Sequence, residues 1–169
     1  MPIPSAESSF RKGLATLTGG DAAAAARHLQ SAILIERQHG VARPQMRYLS
    51  YYGLALAQSG RPNAAAIQAC ETATRRDLFN PDLYLNLGRV YSLADRKSRA
   101  LAAFERGLAI APNHPALASE MAKIDRRQAP PLAFVPRSHP INKLLGKVRG
   151  VLFARRAHGM ERAKAAPAS

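Results

Sequence analysis

The sequence predicts an all-α fold in which antiparallel pairs of helices stack side by side. Hydrophobic residues make up 47% of the 169 residues, enough for a core, whereas aromatic residues make up only 6% and Trp is absent. Alanine is abundant, and it has the highest helix propensity. No long stretch alternates apolar and polar residues, so strands are not expected. A pattern of small and aromatic residues also recurs, and Pro81 and Pro115 begin successive copies of it.

The clearest copy of this pattern begins at Pro81. Its distinctive residues fall at positions 4, 7, 8, 11, 20, 24, 27 and 32 and are Tyr84, Leu87, Gly88, Tyr91, Ala100, Phe104, Gly107 and Pro112. This closely resembles the tetratricopeptide repeat, which has Trp, Leu, Gly, Tyr, Ala, Phe, Ala and Pro at a 34-residue period. The resemblance implies a right-handed superhelix of helix pairs, each made of an A helix and a B helix.

The residues of this copy explain its two helices physically. Asn80 is a good helix cap, Pro81 suits the first turn, and Asp82 favours the positive end of the helix dipole. Gly88 and Ala100 are small, so the two helices can cross closely there. Residues 95–97 form the turn, and we expect helix B to bury Leu101, Phe104 and Leu108.

Two looser copies precede it, so three repeats are predicted at about 5–38, 46–78 and 81–112. In the second, Gly53 takes position 8, Ala65 takes position 20, Ala69 stands where Phe is expected, and one extra residue precedes Pro81. In the first, Gly13 takes position 8, and Ala25, Leu29 and Ala32 take positions 20, 24 and 27, with helix B running from Asp21 to about Gln38. The linker 39–44 inserts about six residues before the second copy.

One more A-type helix, at 115–128, is expected to cap the stack, because solenoids need a polar end. Leu117, Met121 and Ile124 form its apolar stripe, and the sequence Gln128-Ala129-Pro130-Pro131 ends it. The repeat domain is therefore predicted to span 1–129. The alternative is an unrelated alanine-rich bundle.

By resemblance to the family, the A helices line a concave groove through positions near 2, 5, 6, 9, 12 and 13. In this chain these positions give Arg11, Leu14, Arg47, Ser50, Tyr51, Leu54, Leu85, Asn86, Arg89, Lys123 and Arg127. The cations could clamp carboxylates, Asn86 could bond a peptide backbone, and Tyr51 and Leu54 could hold an apolar side chain. The alternative is that the charged residues are merely solvated. We expect an adaptor that binds a protein or peptide segment, with the cations favouring an acidic one.

Some family members grip the terminal carboxylate of chaperones with a Lys/Asn/Arg set. Here Phe10 and Leu14 occupy the corresponding positions of the first repeat, and neither is polar. An internal segment of a partner is therefore the better expectation.

The C-terminal region is predicted to be a Pro-rich linker, 130–140, followed by a basic amphipathic tail, 141–169. The net charge of the chain is +14, and residues 130–169 carry 8 Lys/Arg against one acid, Glu161. The cationic candidates of the tail are Lys143, Lys147, Arg149, Arg155 and Arg156. The helix could dock on the repeat domain, on a partner protein, or on an anionic surface such as a membrane or a nucleic acid. Tethering to such a surface is the alternative function.

The sequence offers little for catalysis. The five His residues are scattered without metal-ligand spacing, Cys70 is the only cysteine, and no phosphate loop occurs. We therefore expect no enzyme activity, no cofactor and no metal. The N-terminus lacks the features of a secretory signal, and no uninterrupted apolar run is long enough to span a membrane, so a cytoplasmic protein is expected.

Overall fold

A computed structural model describes residues 4–60 and 64–127, with side chains described as far as Ile124. These residues form seven helices and no strand, which confirms the all-α prediction. No helix among them is long and apolar enough to cross a membrane. The helices are α1 (Pro4–Thr18), α2 (Ala22–Gln38), α3 (Met46–Gln58), α4 (Ala64–Arg76), α5 (Pro81–Leu93), α6 (Lys97–Ile110) and α7 (Pro115–Arg127).

The helices pack as a stack of hairpins. α1 contacts α2, α3 contacts α4, and α5 contacts α6, while α2 and α4 also contact the A helix that follows each of them. The A helices touch one another, α1 with α3 and α3 with α5, whereas α2, α4 and α6 have no mutual contact in the described part of the chain. Because the A helices are closer together than the B helices, they lie on the inner side of the stack.

The helix starts follow from capping chemistry. The Asp21 carboxylate accepts a hydrogen bond from the Ala24 amide at 2.8 Å at the start of α2. The Asn80 side chain accepts one from the Asp82 amide at 3.1 Å, and Pro81 occupies the first turn of α5. Such caps satisfy amides that have no partner inside the helix. The predicted starts at Asp21 and Asn80 are thus confirmed.

Small residues lie where the paired helices cross, as predicted. A Cβ atom on Gly88 would overlap the Phe104 ring, and one on Gly53 would come within 2.7 Å of the Ala66 carbonyl oxygen and of the Cys70 sulfur. In the first repeat a Cβ atom on Gly13 would lie 2.7 Å from Leu29 Cγ. Close approach of the helices therefore depends on glycine in all three pairs.

The register predicted for α4 is wrong by one residue. Ala66, not Ala65, is the fully buried alanine, and a Cβ atom on Gly53 would come closer to the Cys70 sulfur, at 2.7 Å, than to Ala69 Cβ, at 3.2 Å. Cys70 is one residue further along the chain from Gly53 than Phe104 is from Gly88. The extra residue of the second repeat therefore lies in the turn between α3 and α4, and not before Pro81. A shift of one residue rotates a helix by about 100°, which exposes Ala65.

The buried face of α6 is also narrower than predicted. Phe104 is fully buried, but Leu101 and Leu108 are only half-buried. The inward stripe is formed by Ala100, Ala103, Phe104 and Gly107, spaced as one helix face. Leu101 and Leu108 lie at its edges because each is one residue beyond a member of the stripe.

α7 covers the end of the apolar core. Leu117 is fully buried and packs against Gly107, where a Cβ atom would come within 2.7 Å of the leucine. Ile124 lies about two helical turns after Leu117 on the same face of α7, and it belongs to the same core cluster as Phe104. The exposed residues of α7 as far as Ile124 are Pro115, Ala118, Ser119, Ala122 and Lys123, so no large apolar side chain faces solvent there, as expected of a capping helix.

Candidate partner-binding groove

The surface formed by α1, α3, α5 and the described part of α7 is called the A-helix face below. It holds the predicted groove residues, but their exposure differs widely. Leu54, Leu85 and Asn86 are buried, whereas Arg47, Tyr51 and Arg89 are partly exposed and Lys123 is exposed. The first three lie in the interface between neighbouring repeats, so their side chains chiefly join helices.

Asn86 illustrates this arrangement. It is 1% exposed, and its Nδ2 atom donates a hydrogen bond to the Ser50 Oγ atom at 3.1 Å, linking α5 to α3. Its Oδ1 atom is buried without a hydrogen-bond partner among the described residues. Ser50 is fully buried, and its carbonyl oxygen accepts a hydrogen bond from the Cys70 thiol at 3.3 Å. A peptide would have to displace neighbouring side chains to reach this amide.

Glu7 is the centre of a charged cluster at one end of the A-helix face. Its carboxylate accepts hydrogen bonds from Arg47 at 2.6 Å and from the Tyr48 hydroxyl at 2.8 Å. Arg11 lies 3.5 Å from the same carboxylate. The Arg47 guanidinium also lies 4.9 Å from the centre of the Phe10 ring, a cation–π arrangement. Arg47 is therefore fixed between α1 and α3, and the exposed cation here is Arg11.

Glu120 is the centre of a second charged cluster, at the other end. The Arg89 Nε atom donates to its carboxylate at 3.0 Å, and the Lys123 ammonium donates at 3.2 Å. The Glu120 carboxylate thus contacts two cations, and the Glu7 carboxylate does the same. Each cluster retains about one positive charge, and the least enclosed cations are Arg11, with 78% of its side chain exposed, and Lys123, with 53%.

Beside the Glu120 cluster the surface offers apolar contact. A depression of about 440 Å³ is lined by Gln58, Arg89, Ser92, Leu93 and Glu120. Leu93 is 47% exposed although it is a large apolar residue. Further along, burial raises the pKa of the Tyr51 phenol, against the opposing effects of Arg89 and Asn86. The phenol therefore stays neutral and offers an aromatic edge beside the cations.

Several residues of this surface were missed by the sequence interpretation: Glu7, Gln58, Ser92, Leu93 and Glu120. Positional reasoning could have found all of them, because Glu7 takes position 2 of the first A helix, Glu120 takes position 6 of the fourth, and Gln58, Ser92 and Leu93 take positions 12 and 13 of theirs. The ion pairs carried no such signal, since Glu7 and Arg47 are 40 residues apart. The Arg127 side chain and the tail residues Lys143, Lys147, Arg149, Arg155 and Arg156 lie outside the described residues.

No group of three or more His, Cys, Asp or Glu side chains within 4–60 and 64–124 is placed to hold a metal ion. Cys70 is buried, as predicted, and burial raises the pKa of its thiol to about 12. A thiol with that pKa is a poor nucleophile at neutral pH.

Fold and surface together define a helical-repeat domain of the protein-binding class. Residues 56–124 match the family model of the tetratricopeptide repeat. The Arabidopsis OM64 TPR domain is similar in structure, with a TM-score of 0.59 at 20% identity, covering 73% of this chain and 96% of that one. PcrH in complex with the chaperone binding region of PopB is also similar, with a TM-score of 0.56 at 16% identity, covering 75% of this chain and 96% of that one. No curated protein sequence matches the chain.

Residues 56–124 therefore match the tetratricopeptide repeat family, and the helical stack as a whole shares the fold of solved proteins with such repeats. At such low identities the two solved structures show the shared fold, and the family model supplies the relationship in sequence. Tetratricopeptide repeats form protein–protein interaction domains, and this family is generally not enzymatic. The predicted family is confirmed.

Proposed function

We propose that this protein is a non-catalytic adaptor whose A-helix face binds an extended segment of a partner protein. The observation that carries the proposal is the exposed Leu93 in the depression beside Arg89 and Glu120. A concave site that combines an apolar side chain with a few charged and polar groups is typical of a binding site. PcrH, which shares the fold, was solved with a segment of another protein, and this supports the same mode of binding here.

The charges of the A-helix face indicate the chemistry of that segment. Both carboxylates are already engaged by two cations each, which leaves Arg11 and Lys123 as the cations best placed to accept a new anion. A partner segment with acidic residues flanking an apolar one would pair with these cations while its apolar side chain contacts Leu93. Arg–carboxylate and Lys–carboxylate contacts at such sites are charge-assisted hydrogen bonds.

A pair of leucine substitutions tests the proposal. Leu93→Asp places a charge in the depression, whereas Leu34→Asp places the same charge on α2, at a site with nearly equal exposure, 47% against 45%. Affinity purification with mass spectrometry should recover a partner with the wild-type chain and with Leu34→Asp, but not with Leu93→Asp. Equal recovery of every partner by both variants would contradict binding at this surface. Far-UV circular dichroism confirms that both variants fold.

A second candidate function rests on the charge of the C-terminal region. With 8 Lys/Arg and one acid among residues 130–169, this segment could tether the domain to an anionic membrane or nucleic acid. Binding of the full chain to anionic liposomes and to duplex DNA should then weaken steeply with salt. Replacing Lys143, Lys147 and Arg149 by Gln should abolish binding. If these variants bind as wild type does, the tail is not the tether.

A further inference from the structure

The loop between α2 and α3 departs from the repeat pattern, and the structure shows that it is firmly held. The Val41 amide donates to the Glu36 carbonyl oxygen at 3.1 Å, and Gly40 has a positive φ of 61° that glycine adopts without strain. The Gln45 amide donates to the Glu36 carboxylate at 3.0 Å. Glu36 is only 3% exposed, so its carboxylate is committed to fixing the loop. An insertion fixed in this way forms a defined surface.

This loop encloses a cavity that lies apart from the A-helix face. Its volume is about 320 Å³, at the lower end of the range of roughly 300–1,000 Å³ typical of ligand pockets. We call it the edge pocket, since the turns from each B helix to the next A helix lie along this edge of the stack. Its apolar lining consists of Ile33, Val41, Pro44, Met46 and Leu49. A pocket of this size and lining suits one or two apolar side chains.

Two arginines border the edge pocket. Arg37 comes from the last turn of α2, and Arg76 comes from the last turn of α4. Both are exposed, and neither forms an ion pair with another residue within the described part of the chain. The Glu36 carboxylate also lines the pocket, so one positive charge remains in excess. Phe79, three residues after Arg76, is 83% exposed, so apolar surface extends along the same edge.

We propose that the edge pocket is a second docking site, which receives one apolar side chain of a partner protein while Asp or Glu residues beside it pair with Arg37 and Arg76. The positive charge of Arg37 and Arg76 favours an acidic partner segment as the occupant of the edge pocket. Residues 130–169 of this chain carry 8 Lys/Arg against one acid, so they would bring like charge to both arginines. A second copy would oppose the same arginines to each other. A segment of the opposite charge satisfies both.

Methyl NMR of the full chain tests the proposal with two defined peptides, acetyl-Asp-Asp-Leu-Asp-Asp-amide and acetyl-Lys-Lys-Leu-Lys-Lys-amide. The acidic peptide should shift the methyl signals of Ile33, Val41 and Leu49, and the basic peptide should leave them unchanged. Arg37→Glu/Arg76→Glu should weaken binding of the acidic peptide by about tenfold or more, since charged hydrogen bonds are lost. The matched control is Arg27→Glu/Arg106→Glu, which makes the same change of net charge on exposed residues elsewhere and should bind as wild type does.

Other outcomes overturn the proposal. Shifts confined to the A-helix face, no shift at all, or equal weakening by both arginine pairs would each do so. A spin label on Asn142→Cys reports on the tail, and the buried Cys70, whose thiol has a pKa of about 12, does not compete for it. If that label broadens the methyl signals of Val41, the tail is the occupant. If the chemical shifts of the pocket methyl groups depend on protein concentration, a second copy is the occupant. The groove proposal fails separately, through the Leu93→Asp variant.

Discussion

Gly88→Ala tests whether the close crossing of α5 and α6 determines the stability of the domain. The added methyl group would overlap the Phe104 ring, and that ring is fully buried and cannot move into solvent. Overpacking of a core costs about 1–3 kcal/mol. Replacing Gly by Ala within a helix stabilises the helix by about 1 kcal/mol, because Ala has the higher helix propensity. Because the ring has no room to retreat, the upper part of the overpacking range applies, about 2–3 kcal/mol, and the structure predicts a net loss of about 1–2 kcal/mol in the free energy of unfolding.

Urea denaturation followed by circular dichroism measures this loss. The matched control is Gly19→Ala, where the nearest atom to the new methyl group would be 3.5 Å away, an ordinary contact. That variant should keep or slightly raise stability, by about 0.4–1 kcal/mol, through the lower entropy of its unfolded chain. Gly19 lies in the turn after α1 and Gly88 inside α5, and only the methyl group at Gly88 would meet a buried ring.

A double-mutant cycle locates the effect at the ring. Phe104→Ala alone should cost about 3–5 kcal/mol, because it leaves a cavity. In the Phe104→Ala background, Gly88→Ala should no longer destabilise, so the two changes are strongly non-additive. If Gly88→Ala were as stable as the wild-type chain, or if the two effects simply added, the close crossing would not be the reason for glycine at this position.

Three further predictions follow from burial. Cys70 should react with a thiol reagent only when the domain unfolds, so its labelling rate should rise with urea in parallel with the loss of helical circular dichroism; fast labelling in native buffer would contradict its burial. Burial, followed by the hydrogen bond to Glu7, raises the pKa of Tyr48 from 10.0 to about 12, so the folded state favours the neutral phenol. Stability from this group is full below pH 10 and falls between pH 10 and 12; Tyr48→Phe should make that fall shallower in alkaline thermal melts, and an unchanged slope would refute the linkage. Leu117→Ala should lower the free energy of unfolding by about 2–5 kcal/mol if α7 covers the core, and a loss below about 0.5 kcal/mol would show that it does not.

The fold was predictable because the repeat places its strongest signals at helix crossings. Gly88 and Phe104 identify a contact through spacing alone, and Asn80 identifies a helix start through capping chemistry. The spacing of residues predicted the wrong register for α4, because the turn between α3 and α4 is one residue longer. The extra residue between α3 and α4 left the pattern of apolar residues intact but rotated α4, so Ala65 and Ala66 exchanged roles.

The candidate site was predictable only in part, and the reason is electrostatic. Positional reasoning placed Arg47 and Arg89 on the A-helix face, but their partners Glu7 and Glu120 come from other helices, 40 and 31 residues away in the sequence. When its ion-pair partner is not known from the sequence, a cationic side chain is interpreted as a free binding group. The same cation paired at 2.6 or 3.0 Å is largely neutralised, and it stabilises the contact between two helices instead.

Burial also separates the residues that build the repeat from those available to a partner. Leu54, Leu85 and Asn86 satisfy the positions expected to bind, yet each is 5% exposed or less, so these side chains already contact neighbouring helices over most of their surface. Part of the apolar surface that remains lies where the chain ends a helix, at Leu93, or departs from the pattern, in the loop that forms the edge pocket, whereas Leu34 is exposed within α2. If the A-helix face of this chain binds a partner, specificity depends on such residues, because Leu54, Leu85 and Asn86 already hold the stack together.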